Sequence, residues 1–115
     1  SRGPSIASGR VARGGSETMP GITLSPLAHQ DLEDIFDLLE SRRPHLSDRF
    51  AESFDRACKV YLGSPAIGAP REDLGRGLRC FTVWSYVAFY RATGHGLEIA
   101  RILHGARDFP AIDFP

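Results

Sequence analysis

Apolar residues recur at helical spacing twice between residues 26 and 63, then switch to strand-like spacing after residue 78. Ala28, Leu32, Ile35, Phe36 and Leu39 fall at i, i+4, i+7, i+8 and i+11, which is one face of a helix. Asp31, Glu33, Asp34, Asp37 and Glu40 lie mostly off that face and give it an acidic outer side. Ser25-Pro26 marks the start: a hydroxyl cap, then a proline where its missing N–H costs nothing. Arg42, Arg43 and Pro44 close the helix, with the cations at its negative end. Phe50, Phe54, Ala57, Cys58 and Tyr61 repeat the same spacing, with Ser47 as the expected N-cap, Gly63 as the stop and Pro65 preventing continuation. Two such helices with a short connector predict an antiparallel helical hairpin.

Residues 63–77 are rich in glycine and proline and read as a loop. Leu78–Trp84, Tyr86–Ala92 and Leu97–Leu103 follow as three β-favouring runs. Ser85 sits in the first tight connection and Thr93-Gly94-His95-Gly96 forms the second, so an antiparallel meander is expected. In the last run strict alternation puts Leu97, Ile99, Arg101 and Leu103 on one face. Residues 22–25 (ITLS) supply a first short strand, placed at the sheet edge. Pro110 and Pro115 argue against a long final helix. The predicted order is β-α-α-β-β-β. The expected fold class is α+β in two layers, a helical hairpin packed on a small antiparallel sheet that leaves one sheet face only partly covered.

Composition changes this picture at the N-terminus. Residues 1–18 hold four glycines, four serines and few apolar side chains, and are expected to be a disordered leader or appended tail outside a single domain at 19–115. The whole chain of 115 residues is formally neutral. The leader takes Arg2, Arg10 and Arg13 against Glu17, leaving the domain with 11 basic and 13 acidic side chains, a net charge of −2. That argues against a generally basic nucleic-acid binder, and no sequence-specific nucleic-acid contact is expected. No apolar run approaches the roughly 20 residues of a membrane span. Cys58 and Cys80 suit a reducing cytoplasm better than a disulfide scaffold. His29, His45 and His95 lack metal-ligand spacing, so neither a metal nor a cofactor is expected.

Several segments, in order on this frame, resemble the ParE/RelE superfamily of bacterial type II toxins. They are LSPLAHQDLEDIFDLLE, the loop SPAIGAPREDLGRGLR, then YVAFYR and LEIARILHGARD, together spanning about residues 22–108. The last is closest to the ending of the ParE branch. The resemblance implies a small cytoplasmic toxin neutralised by the C-terminal segment of a cognate antitoxin.

The superfamily divides into ParE-like poisons of DNA gyrase, which are not enzymes, and RelE-like ribosome-dependent mRNA endonucleases. Cleavage at a 2′-OH needs a group to take the proton, cations on the phosphate and an acid for the leaving oxygen. The candidates for a nuclease are Arg79, Arg91, Arg101 and His104. Arginines clamp phosphates but are poor bases, and no tyrosine follows Tyr90. The ParE-like ending, together with the missing nuclease groups, makes the gyrase-poison class what the resemblance implies, with the endonuclease as the alternative. For a target- or antitoxin-binding surface the candidates are Arg79, Trp84, Arg101, His104 and Arg107. Each has a structural alternative: Arg79 capping loop carbonyls, Trp84 packing, Arg101 paired if it faces the helices, His104 donating to a backbone carbonyl, and Arg107 pinning the tail.

Overall fold

The computed structural model describes residues 17–115; most of the expected leader, residues 1–16, lies outside them. The strands are β1 (Glu17–Met19), β2 (Ile22–Leu24), β3 (Ala69–Pro70), β4 (Arg79–Val83), β5 (Tyr86–Thr93) and β6 (Gly96–His104). Helices α1 (Pro26–Arg42) and α2 (Leu46–Gly63) form the hairpin between β2 and β3. The sheet runs β1-β2-β6-β5-β4-β3. The α+β order is the expected one, with two short strands added: β1, antiparallel to β2, and β3, antiparallel to β4.

The sheet is mixed rather than antiparallel, because β2 pairs parallel with β6, Ile22 opposite Leu97 and Leu24 opposite Ile99. Parallel neighbours need a long crossover, and the helical hairpin with β4 and β5 supplies one. The β5–β6 turn approaches this pair closely: Leu97 N–H donates to Gly21 O at 2.8 Å. Gly96, at φ 137°, leaves no room there for a side chain, since a Cβ would lie 2.1 Å from that same oxygen.

All five predicted apolar residues of α1 are buried. Ser25 caps the helix as expected, accepting from Ala28 N–H at 3.0 Å. It also ties the helix start to β6, through N–H to Ile99 O at 2.9 Å and hydroxyl to Ala100 O at 2.7 Å. Helix α2 begins earlier than its expected cap. His45, at φ 66°, occupies the cap position, and Ser47 lies buried in the first turn. The Glu40 carboxylate takes the Ser47 hydroxyl at 2.5 Å and its N–H at 3.3 Å, so α1 caps α2. Gly63 is the last helical residue rather than the stop.

The helices bury Phe36, Phe50 and Phe54 against Phe81, Val83, Tyr86 and Tyr90 of the sheet. The opposite sheet face is not left open. Leu78, Phe89, Ala100 and Leu103 are buried beneath Leu74 and a C-terminal strap carrying Phe109, Ile112 and Phe114. Both strap phenylalanines meet Phe89 edge-on, with centroids 5.1 and 5.0 Å away. The strap contains a single 3-10 turn, Phe109–Ala111.

Strict alternation in β6 fails for a local reason. Phe89 pairs with Arg101 but Tyr90 pairs with Ile99, so Ala100 is a bulge. One extra residue flips every side chain beyond it. Leu97, Ile99 and Ile102 therefore join the helix-side core, while Ala100 and Leu103 join the strap-side cluster.

Candidate functional site

Next to the bulge, Arg101 lies just past the end of β2, where β6 faces α1. Its Nε donates to Asp31 Oδ2 at 2.7 Å and its Nη2 to Asp31 Oδ1 at 2.8 Å. The Ile102 N–H adds a third bond to Asp31 Oδ2 at 3.0 Å. Both charged side chains are nearly buried, 13% and 12% exposed. The hydrogen-bonded carboxylate holds the Arg101 pKa above its ordinary value. Arg101 is thus paired, as its structural alternative has it, rather than a free recognition cation. Its third nitrogen, Nη1, donates to Asp113 O of the strap at 2.8 Å.

Beside this pair a cleft of about 200 Å³ opens between α1 and the end of β6. Ile35, Leu38, Tyr86 and Ile102 form its apolar walls, with Asp31 and Asp34 at one rim and His104 and Arg107 at the other. It continues into a second hollow of about 240 Å³ that shares Leu38, Tyr86 and His104 and reaches Leu46, Arg42 and Trp84. Leu38 is 44% exposed and Trp84 45% exposed at its lip. Trp84 sits in the β4–β5 turn at φ 55°, a left-handed conformation unfavourable for a bulky side chain. Its ring meets Phe50 edge-on at 5.2 Å and its Nε1–H reaches Ser53 Oγ at 3.3 Å.

The structure brings Trp84, His104 and Arg107 to this one furrow and puts Arg101 behind its wall. The His104 ring packs edge-on against Tyr86 at 5.5 Å. Its Nδ1 accepts from Ala106 N–H at 3.1 Å, rather than donating to a carbonyl, and this places the neutral ring's proton on Nε2. Arg107 is exposed, and among the described residues its guanidinium has no hydrogen-bonded or ionic partner. Arg79 lies elsewhere, its Nη1 donating to Ala66 O and Gly68 O at 2.9 and 2.8 Å. Arg91 is also tied to main chain, Nε to Arg76 O and Nη1 to Pro115 O. The four nuclease candidates are therefore not gathered around one point. Burial raises the pKa of both Cys58 and Cys80, which disfavours a reactive thiolate.

Asp31, Leu38 and Tyr86 were not among the residues the sequence singles out. A signal for Asp31 exists: it lies three residues after Ala28 and four before Ile35, beside the buried stripe, where a carboxylate needs a partner.

The comparisons with known proteins bear on this architecture. The family model described as the ParE toxin of the type II toxin–antitoxin system parDE matches residues 22–109. The chain belongs to the ParE toxin family. Toxin ParE1 of Caulobacter vibrioides is 34% identical over 82 residues, which are 70% of this chain and 84% of that protein. A chain from the chromosomal ParDE system of P. aeruginosa shares the fold, with a TM-score of 0.61 at 24% identity, covering 75% of this chain and 96% of that one. As a ParE-type toxin the protein belongs to a system with a cognate antitoxin. The family match ends at residue 109, so most of the strap lies beyond it.

Proposed function

We propose that this ParE-type toxin acts by poisoning DNA gyrase and is neutralised by an antitoxin whose C-terminal segment fills the furrow between α1, β6 and the β4–β5 turn. The observation that carries the choice of class is the commitment of the strand arginines. Arg79 and Arg91 hold main-chain carbonyls, and Arg101 holds a buried carboxylate. Freeing Arg101 for a scissile phosphate would leave the nearly buried Asp31 carboxylate without its cation, and freeing Arg79 would strip a donor from the part-buried Gly68 carbonyl, whereas the carbonyls held by Arg91 are exposed. His104 alone cannot supply the proton acceptor, the phosphate clamp and the proton donor that RNA cleavage requires. A protein-binding role needs none of these. It needs apolar walls with charged rims, which Leu38, Tyr86, Trp84, His104 and Arg107 provide.

Two assays test the class. With purified gyrase and plasmid, the toxin is expected to inhibit supercoiling or accumulate linear DNA. In a ribosome-programmed translation extract it is expected to leave mRNA intact. Codon-specific mRNA cleavage without an effect on gyrase would reverse the assignment. The antitoxin reading predicts that the protein encoded beside this gene raises the toxin's thermal stability by mass action.

A further inference from the structure

We propose that the C-terminal strap sets the affinity of the cleft for its partner, with Arg101 as the positioning residue between them. The inference rests on the reading that the antitoxin segment fills the cleft, and it adds a control that the family match does not cover. The cleft opens on the α1 side of β6 and the strap covers the other sheet face, with Leu103 lining the one and packing in the other, and Arg101, past the end of β2, touches both. Two of its nitrogens hold Asp31 in the cleft wall and the third holds the Asp113 carbonyl in the strap. Asp31 in turn accepts the Ile102 N–H at the cleft floor. One guanidinium therefore fixes the spacing of α1 from β6 on one side and the strap on the other.

The sign follows from the geometry. A docked strap holds Arg101 in the rotamer that grips Asp31, so the cleft wall is in place before a partner arrives. Such preorganisation removes an ordering cost from binding. When the strap is released, Nη1 loses its acceptor and the guanidinium gains freedom, which loosens the wall. The coupling is positive, and it is reciprocal: a partner seated against the wall tightens the strap. The strap suits this role because one 3-10 turn, three apolar side chains and the arginine bonds from Arg91 and Arg101 hold it.

Hydrogen exchange on the full chain tests this without a partner. Asp31→Asn and Arg101→Lys are each expected to speed exchange of the 107–115 amides at least tenfold relative to the β5 amides. Lysine keeps a positive charge beside Asp31 but lacks the fork that reaches Asp113 as well. A peptide spanning the C-terminal half of the neighbouring antitoxin supplies the second arm. Its binding is expected to slow strap exchange, and Phe109→Ala/Phe114→Ala is expected to bind it at least tenfold more weakly while still unfolding cooperatively. Unchanged strap exchange in both Asp31→Asn and Arg101→Lys would overturn the linkage. So would equal peptide affinity in the wild type and the strap variant. A peptide that binds neither protein would refute the antitoxin reading, and the exchange arm would then decide the linkage by itself.

Discussion

Removing a single oxygen atom from Tyr90 gives a sharp test of how the loop beside the sheet is held. The side chain is fully buried and its hydroxyl makes two bonds: it donates to Pro65 O at 2.5 Å and accepts from Gly68 N–H at 3.1 Å. Gly68 packs against that hydroxyl so closely that a Cβ there would lie 2.2 Å from it. In Tyr90→Phe the buried Gly68 N–H loses its acceptor, at a cost of about 1–3 kcal/mol, while the half-buried Pro65 carbonyl can reach water and adds less. The expected total is about 2 kcal/mol, or about 8–16 °C in Tm for a domain of this size. Burial raises the Tyr90 pKa above its ordinary value. A raised folded-state pKa contributes stability that is fully present below the unfolded phenol value, about 10, and is lost as pH rises through the folded value. Urea unfolding of wild type and variant at pH 7 and near pH 11 reads both effects, and the gap between the two proteins should narrow at the higher pH. Because Gly68 O also holds Arg79, the variant should loosen that arginine as well. A difference under about 0.5 kcal/mol at pH 7, or a gap independent of pH, would refute the reasoning.

Asp31→Ala strips three bonds from a nearly buried pair and is expected to cost about 3 kcal/mol in chemical denaturation, a loss that the apolar double variant Asp31→Leu/Arg101→Met should partly recover. Gly96→Ala forces a side chain against the Gly21 carbonyl at a positive φ, and calorimetry should show a loss of about 3 kcal/mol or more. Arg107→Ala should change the unfolding free energy by no more than about 0.5 kcal/mol yet reduce toxicity in cells at equal levels of folded protein. A large stability loss there would instead place Arg107 among the structural residues.

The helices were legible because their apolar stripes follow one local period: every residue of the predicted α1 face is buried, and Ser25 caps it as its type requires. The hairpins were legible because Ser85 and Gly94-His95 leave little choice of connection. What failed depended on partners distant in sequence. The Ala100 bulge is set by pairing with β5, so nothing within residues 96–104 announces that alternation stops there. Arg101, expected on a recognition surface, is paired with Asp31, 70 residues away in the sequence. The cap position of α2 is His45, and Ser47 is bonded instead to Glu40 on the other helix. The strap was unreadable for a similar reason: Phe109, Ile112 and Phe114 have no regular spacing, and only the face around Phe89 gives them a place. In the furrow, residue type alone points to His104, Arg107 and Trp84, whereas Leu38 and Tyr86 look like ordinary members of a helix and a strand.

The chain has a single tryptophan, and the fold places it at the mouth of the furrow. Trp84 is half in solvent, with its indole N–H on Ser53 and its ring against Phe50. An indole in that position emits according to the polarity around it. A partner that seats beside Leu38 and Tyr86 should exclude water from the ring and shift its emission to the blue, whereas global unfolding should shift it to the red. The toxin therefore carries its own optical reporter, one that can distinguish occupancy from denaturation in unlabelled protein during a titration.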